Sequence, residues 1–88
     1  MTKYRIEVSA TAEKQIRKLD RTDQIQVVRA IQALSKEPRP PGTRKLQGYS
    51  DVFRVRVGTY RIIFSVERTR LLIIILKVGH RRDVYRTR

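Results

Sequence analysis

Alternating arginine and apolar residues in FRVRVGTYRIIF, residues 53–64, form the part of this chain best suited to chemistry. Arginines at 54, 56 and 61 are permanently charged, and each can bind a phosphate through two hydrogen bonds. Gly58-Thr59 fits a two-residue type II′ turn, which needs glycine at its first central position. That turn fixes the register of a hairpin in which Val57 faces Tyr60, Arg56 faces Arg61, Val55 faces Ile62 and Phe53 faces Phe64.

The predicted register divides the hairpin into an apolar face and a cationic face. Successive side chains of a strand point to opposite sides, so Arg54, Arg56 and Arg61 share the side away from the core. Opposed like charges are destabilising, on the order of tenths of a kcal/mol per exposed pair, and a solvated face does not require them. We therefore predict a preformed anion site. The alternative is that the long side chains simply cover the sheet.

Further candidates follow the hairpin. One register of the next hairpin, around ERTR at 67–70, places Lys77 beside Arg61. The terminal VGHRRDVYRTR carries the only histidine, His80, whose imidazole can accept a proton and return one. Tyr85 can stack on a base. The same segment adds three more arginines to the candidate site: Arg81 as a catalytic candidate, and Arg82 and Arg86 as candidates for phosphate binding.

The charge of the chain predicts a polyanionic partner. Its 21 lysines and arginines outnumber 8 acidic residues, which gives a formal net charge of +13. Such an excess costs folding energy through self-repulsion and is typical of proteins that bind nucleic acid, a membrane surface or an acidic protein.

The longest apolar run, Leu71–Leu76, is far shorter than the roughly 20 residues of a membrane span. We therefore expect a cytoplasmic protein without a membrane partner, forming one domain over residues 1–88.

The residue types available argue against metal and cofactor chemistry. The chain has no cysteine and one histidine, and the acidic residues of its second half are scattered. Its four glycines lie too far apart for a phosphate-binding loop. We therefore predict no metal and no cofactor.

The first half of the chain predicts a strand followed by a helical hairpin. Alternation in KYRIEV, residues 3–8, places Tyr4, Ile6 and Val8 on a buried face. Ser9 or Thr11 can cap a helix that runs through Asp20, and Thr22 or Asp23 can cap a second helix that ends near Glu37 before Pro38. The residues expected to face the core are Ala12, Ile16, Leu19, Val27, Val28, Ile31 and Leu34.

The second half predicts an antiparallel meander. EPRPPG at 37–42 is a stiff linker, TRKLQGYSD at 43–51 is a loop or short edge strand, and strands follow near 52–57, 59–67 and 71–78. Leu71–Leu76 is apolar on both sides and should be central, with the N-terminal strand along its free side. The fold class is therefore α+β: two layers, with a helical hairpin against a mostly antiparallel sheet.

Metal-free cleavage of RNA is compatible with these residue types, because RNA carries its own nucleophile, the 2′-OH. Its attack on the adjacent phosphorus builds negative charge on the phosphoryl oxygens, and fixed guanidinium groups complement that charge. Fixed positive charge and one proton-transfer group therefore suffice for this reaction.

The chain resembles the RelE branch of the RelE/ParE bacterial toxin superfamily over nearly its whole length. The resemblance rests on the helical hairpin, PRPPGTRKLQG, FRVRVGTYRIIF and VGHRRDVYR. It implies a RelE-like fold related to microbial ribonucleases. It also implies a type II toxin that binds the ribosome, including its 16S rRNA, and cleaves mRNA in the A site. The cleavage leaves a 2′,3′-cyclic phosphate. A cognate acidic antitoxin is implied as partner.

The resemblance also implies roles for individual residues. Arg61 matches a catalytic arginine, Arg81 an arginine after the last strand, and Tyr85 a tyrosine that stacks on the substrate base. Arg54 and Arg56 stand where relatives often have lysines. Since arginine does not deprotonate in proteins, we assign both to phosphate binding, with Lys77, Arg82 and Arg86, and we take His80 as the candidate acid or base.

Two other functions stay open on the sequence. A ParE-like inhibitor of DNA gyrase shares the implied fold, and a non-catalytic RNA- or ribosome-binding protein would have the same charge. We also expect the antitoxin to neutralise the arginines and to cover apolar residues on the second face of the sheet, for which we predict Leu71, Ile73 and Ile75.

Overall fold

A computed structural model describes residues 3–80 of the chain. The elements in order are β1 (Arg5–Val8), α1 (Ala10–Arg17), α2 (Arg21–Leu34), β2 (Arg44–Lys45), β3 (Val52–Val57), β4 (Tyr60–Glu67) and β5 (Leu72–His80). The strands form one five-stranded sheet in the order β1-β5-β4-β3-β2. β1 runs parallel to β5, and the other pairs are antiparallel. The predicted α+β fold is confirmed, with the N-terminal strand beside β5 and an edge strand within TRKLQGYSD.

The helical hairpin covers one face of the sheet and makes the core there. α1 packs against β5, and α2 packs against β3. The core is apolar, and each sheet strand from β3 to β5 contributes alternate residues to it. The largest fully buried side chains are Phe64, Leu34, Ile62, Ile73, Ile75, Val27 and Val78.

α1 also completes the hydrogen bonds of β5 where β1 stops. The Ser9 hydroxyl caps α1 by accepting from the amide of Ala12 at 3.1 Å, and it donates to the Leu76 carbonyl at 3.0 Å. Farther along, Gln15 Oε1 accepts from the amide of Val78 at 2.6 Å. Backbone groups left unpaired near the core are costly, so these bonds fix the end of β5 against the helix.

The helix limits and two inward positions differ from the sequence prediction. α1 ends at Arg17 rather than at Asp20, and α2 begins directly after Asp20 and ends at Leu34 rather than near Glu37. Val28 is 36% exposed, because Val27 beside it takes the position that faces the sheet. Val8 is 43% exposed at the end of β1, although it pairs with Ile75.

The apolar residues on the second face of the sheet are not those we predicted. Ile73 and Ile75 are fully buried in the core, where they pair with Val66 and Phe64. Leu71 lies in the β4–β5 turn with a φ of +50°. The second face instead receives Ile63, Leu72 and Ile74, which alternate with core residues along β4 and β5. The prediction was wrong because the register between β4 and β5 shifts by one residue between Ile63 and Phe64, which reverses the faces of the β5 residues before that point.

Candidate functional site

The β3–β4 hairpin has the turn and the register that its sequence predicts. Gly58 has a φ of +60°, as the first central residue of a type II′ turn requires. Of the non-glycine residues in the described range, Leu71 alone has a positive φ, so Thr59 fits the second position of that turn. The observed pairs are Val57–Tyr60, Arg56–Arg61, Val55–Ile62 and Phe53–Phe64.

The cationic side chains of this hairpin converge on one cleft of about 210 Å³ on the second face of the sheet. Arg54, Arg56 and Arg61 line it, and the edge strand β2 adds Arg44. We call this site the arginine cleft. Arg54 and Arg61 are half-buried, whereas Arg44 and Arg56 are exposed. Of the described residues in its lining, none carries a carboxylate. The geometry therefore brings together the three arginines predicted to share a face.

Sequence reasoning missed Arg44, although the structure places it directly opposite Arg54. A two-residue strand is too short to show alternation, so no periodic signal marked it. The sequence indicates only that Arg44 lies in the segment TRKLQGYSD, which is predicted to be a loop or a short edge strand. With Arg44, the arginine cleft holds four guanidinium groups.

Lys77 lies in the same row of side chains as Arg54. Arg54 pairs with Ile63, and Ile63 pairs with Lys77, so the three residues share the second face. Neighbouring strands are about 4.8 Å apart, which separates Arg54 and Lys77 by roughly 10 Å across the sheet. Arg61 lies opposite Gly79, two residues from Lys77. Lys77 thus flanks the arginine cleft on the side away from Arg44.

His80 is not brought together with the arginines. It pairs with Tyr60 at the end of β5, and the two rings meet edge-on with their centroids 6.1 Å apart. Directly opposed residues share a face, and Tyr60 packs against the core. His80 therefore lies on the helix side of the sheet. The other predicted site residues, Arg81, Arg82, Tyr85 and Arg86, fall outside the described residues.

A hydrogen bond ties the hairpin to α2. The Tyr60 hydroxyl donates to Asp23 Oδ2 at 2.9 Å. This bond and partial burial raise the pKa of the Tyr60 phenol above its ordinary value. Because Tyr60 directly precedes Arg61, the bond anchors the strand that carries one guanidinium group of the arginine cleft.

Residues 3–80 lack two other kinds of feature, a metal-binding cluster and a membrane-spanning helix. These residues contain no cluster of three histidine, cysteine or acidic side chains placed to hold a metal ion. They also form no helix with the length and apolar character needed to cross a membrane.

The family model and the relatives to which this chain is similar are described as toxins. Residues 6–85 match a sequence model described as the ParE toxin of the type II toxin–antitoxin system, parDE. Toxin RelG of Mycobacterium tuberculosis is 32% identical over 84 residues, which cover 94% of this chain and 97% of the relative. The putative toxin RelE1 of Methanocaldococcus jannaschii is 26% identical, with 96% and 97% covered.

Solved structures agree with the sequence comparison. The archaeal RelE–RelB complex from Pyrococcus horikoshii contains a chain with a TM-score of 0.80 and 31% identity, and the match covers 92% of this chain and 97% of that one. The toxin–antitoxin complex RelBE2 from Mycobacterium tuberculosis gives a TM-score of 0.81 at 29% identity, with 94% and 97% covered. The similarity therefore extends over nearly the whole length of these chains.

Proposed function

Since the chain belongs to the ParE toxin family of type II toxin–antitoxin systems, and since its similar relatives are named RelG or RelE, we propose that it is a ribosome-dependent endoribonuclease. In this proposal it cleaves mRNA in the ribosomal A site without a metal ion and so inhibits translation in the cytoplasm. One observation carries the proposal: four guanidinium groups surround one cleft whose described lining holds no carboxylate.

The arginine cleft suits the charge that develops when a phosphodiester is cleaved by its own 2′-OH. The 2′ oxygen forms a bond to phosphorus while the bond to the 5′ oxygen breaks. The products are a 2′,3′-cyclic phosphate and a 5′-OH. Negative charge grows on the phosphoryl oxygens along the way, and positioned cationic donors stabilise it most where water is partly excluded. We assign this stabilisation first to the half-buried Arg61 and Arg54, with Arg44 and Arg56 holding the flanking phosphates.

The reaction also moves a proton from the 2′-OH and delivers one to the departing 5′ oxygen. Arginine cannot do this, because it stays protonated in proteins. His80 is the candidate named from the sequence. His80 packs against Tyr60 on the helix side. We therefore propose that the rate depends more on the arginine cleft than on His80.

The proposed macromolecular partners follow from the same charges. Messenger RNA and 16S rRNA present the phosphates that a chain of formal net charge +13 attracts. The similar structures from Pyrococcus horikoshii and Mycobacterium tuberculosis are toxin–antitoxin complexes. By analogy, an acidic antitoxin that contacts the arginine cleft would relieve the repulsion between Arg56 and Arg61, which lie directly opposite each other.

A second candidate function is ParE-like inhibition of DNA gyrase, favoured by the description of the matching family. It requires binding to a topoisomerase rather than cleavage of RNA. The two functions differ in the process that stops first after induction. An endoribonuclease stops translation, whereas a gyrase inhibitor stops DNA replication and causes double-strand breaks.

Mapping of transcript 5′ ends on translating ribosomes tests the proposal. New ends within codons should appear shortly after induction of the wild-type chain, before DNA breaks, and they should be strongly reduced for Arg61→Ala. Arg29→Ala is the matched control, because Arg29 is exposed on α2 and outside the lining of the cleft. Growth arrest by wild type without new 5′ ends contradicts the proposal.

A further inference from the structure

We propose that a second basic pocket, on the helix side of the sheet, binds single-stranded RNA next to the segment held in the arginine cleft. The inference rests on the proposed function and extends its substrate contacts. The pocket has a volume of about 450 Å³ and lies between the linker after α2 and the opposite end of the β3–β4 hairpin. Its cations are Arg39, Lys45 and Arg68, all exposed.

Aromatic side chains give this second basic pocket a surface suited to a base. The Arg39 guanidinium lies over the ring of Phe53, with its central carbon 4.7 Å from the ring centroid. Phe53 is buried and belongs to the core, so it holds the planar guanidinium in place. The exposed side of Arg39 can then stack on a nucleobase, as guanidinium planes do in single-stranded RNA complexes. Tyr4 lines the same pocket.

The edge strand β2 connects the second basic pocket to the arginine cleft. Arg44 pairs with Arg54 and therefore faces the cleft, whereas Lys45 pairs with Phe53 and faces the pocket. Successive residues of one strand thus carry positive charge to both faces. Because β2 is the outermost strand of the sheet, a strand of RNA can pass around it. A few nucleotides that cross this edge would contact cations on both sides.

Asp51 and Ser50 favour a nucleobase over an acidic peptide as the occupant. Both residues line the pocket. A carboxylate repels the carboxylates of an acidic peptide, but it accepts hydrogen bonds from the exocyclic amine of a base such as cytosine. Uracil has no such amine. The pocket therefore combines cations for phosphate, a planar group for stacking and an acceptor that discriminates between pyrimidines.

Binding of uncleavable RNA tests this inference. Fluorescence anisotropy is measured with oligonucleotides of about 4 and about 12 nucleotides, within the range of single-strand site sizes. Each carries 2′-O-methyl groups, which block attack by the 2′ oxygen, and the ionic strength is about 0.15 M. The variants are Arg68→Ala, which removes a charge in an exposed turn, and Arg39→Lys, which keeps the charge but removes the planar group. Arg29→Ala is the charge-matched control on α2.

We expect Arg68→Ala and Arg39→Lys to weaken binding of the longer oligonucleotide by about tenfold, a typical effect of losing one stacking or charged contact. The shorter oligonucleotide, which the arginine cleft alone can hold, should lose much less. Arg29→Ala should have little effect on either. Equal losses for Arg68→Ala and Arg29→Ala overturn the inference, as does failure of wild type to bind the longer oligonucleotide more tightly than the shorter one.

Base preference provides an independent readout. Wild type should bind an oligocytidine more tightly than an oligouridine of the same length, and Asp51→Ala should remove that difference. If the variants instead weaken binding of an acidic peptide and leave RNA binding unchanged, the pocket serves a protein partner and the inference is overturned. Failure of the proposed function has a different signature, because wild type would then bind RNA without cleaving message on ribosomes.

Discussion

Replacement of Arg61 by alanine should separate catalysis from binding more cleanly than any other change in the described part of the chain. Arg61 is half-buried in the arginine cleft, next to Tyr60, whose hydroxyl bond to Asp23 anchors the strand. The strand that carries this guanidinium group is therefore fixed before the substrate arrives. Such preorganised donors contribute mainly to the stabilisation of the transition state.

The size of the effect follows from the burial of the group. Removing one positioned donor for developing negative charge lowers the rate by about 10²- to 10³-fold, or roughly 3–4 kcal/mol. We expect a loss in this range for Arg61→Ala. Arg56 lies directly opposite but is exposed, and water screens an exposed charge. Arg56→Ala should therefore lower the rate by about tenfold or less.

The assay is single-turnover cleavage of message on programmed ribosomes, with binding to the same ribosomes measured separately. Arg61→Ala should cleave slowly at saturating protein and bind nearly as tightly as wild type, because one of 21 basic residues is lost. Arg29→Ala again supplies the charge-matched control, and thermal unfolding confirms that each variant is folded. An equal loss for Arg61→Ala and Arg29→Ala, or a loss of binding with unchanged cleavage at saturation, would refute the reasoning.

Three further perturbations test the hairpin and its surroundings. Gly58→Ala should lower the free energy of unfolding by about 1–2 kcal/mol, because alanine is strained at a φ of +60°; denaturant titration beside Thr59→Ala measures it. Tyr60→Phe should reduce the amount by which the free energy of unfolding falls at alkaline pH. The bond to Asp23 raises the folded-state pKa of the Tyr60 phenol, so its contribution is complete below the unfolded pKa of about 10 and is lost as pH rises through the folded value. Unfolding measured across that range should be less steep in the variant. His80→Gln should lower cleavage less than Arg61→Ala does, because His80 lies on the helix side; the reverse order of the two losses would show that the ring acts in the reaction.

The β3–β4 hairpin could be predicted in detail because all of its determinants are local. Gly58 fixes the turn, and the alternation on each side then assigns every residue to a face. The same reasoning failed for the β4–β5 hairpin. There the register shifts between Ile63 and Phe64, and Leu71 adopts a left-handed conformation. No pattern in the sequence predicts either feature. A shift of one residue exchanges the two faces of a strand, which is why Ile73 and Ile75 were assigned to the wrong side.

The sequence prediction missed the helix ends and Arg44 for different reasons. Ser9, one of the two caps predicted for the first helix, does cap it, but its bond to the Leu76 carbonyl depends on a strand far along the chain. Asp20 precedes α2 without a side-chain capping bond. The preference for capping side chains therefore pointed to Thr22 or Asp23 and placed the start of this helix too late. Arg44 became part of the site only through pairing of β2 with β3. Long-range pairing therefore limited the prediction of the site more than residue chemistry did.

The second basic pocket gives a proposed role to basic residues that lie outside the arginine cleft. Repulsion alone makes a net charge of +13 a cost to folding, and the arginine cleft accounts for only four of the basic residues. Arg39, Lys45 and Arg68 lie around a second pocket that the edge strand joins to the first. A substrate held on both sides of that edge cannot slide along the cleft without breaking contacts at the pocket. In the proposed complex, the charges outside the cleft would therefore help those within it to fix the scissile phosphate against Arg61.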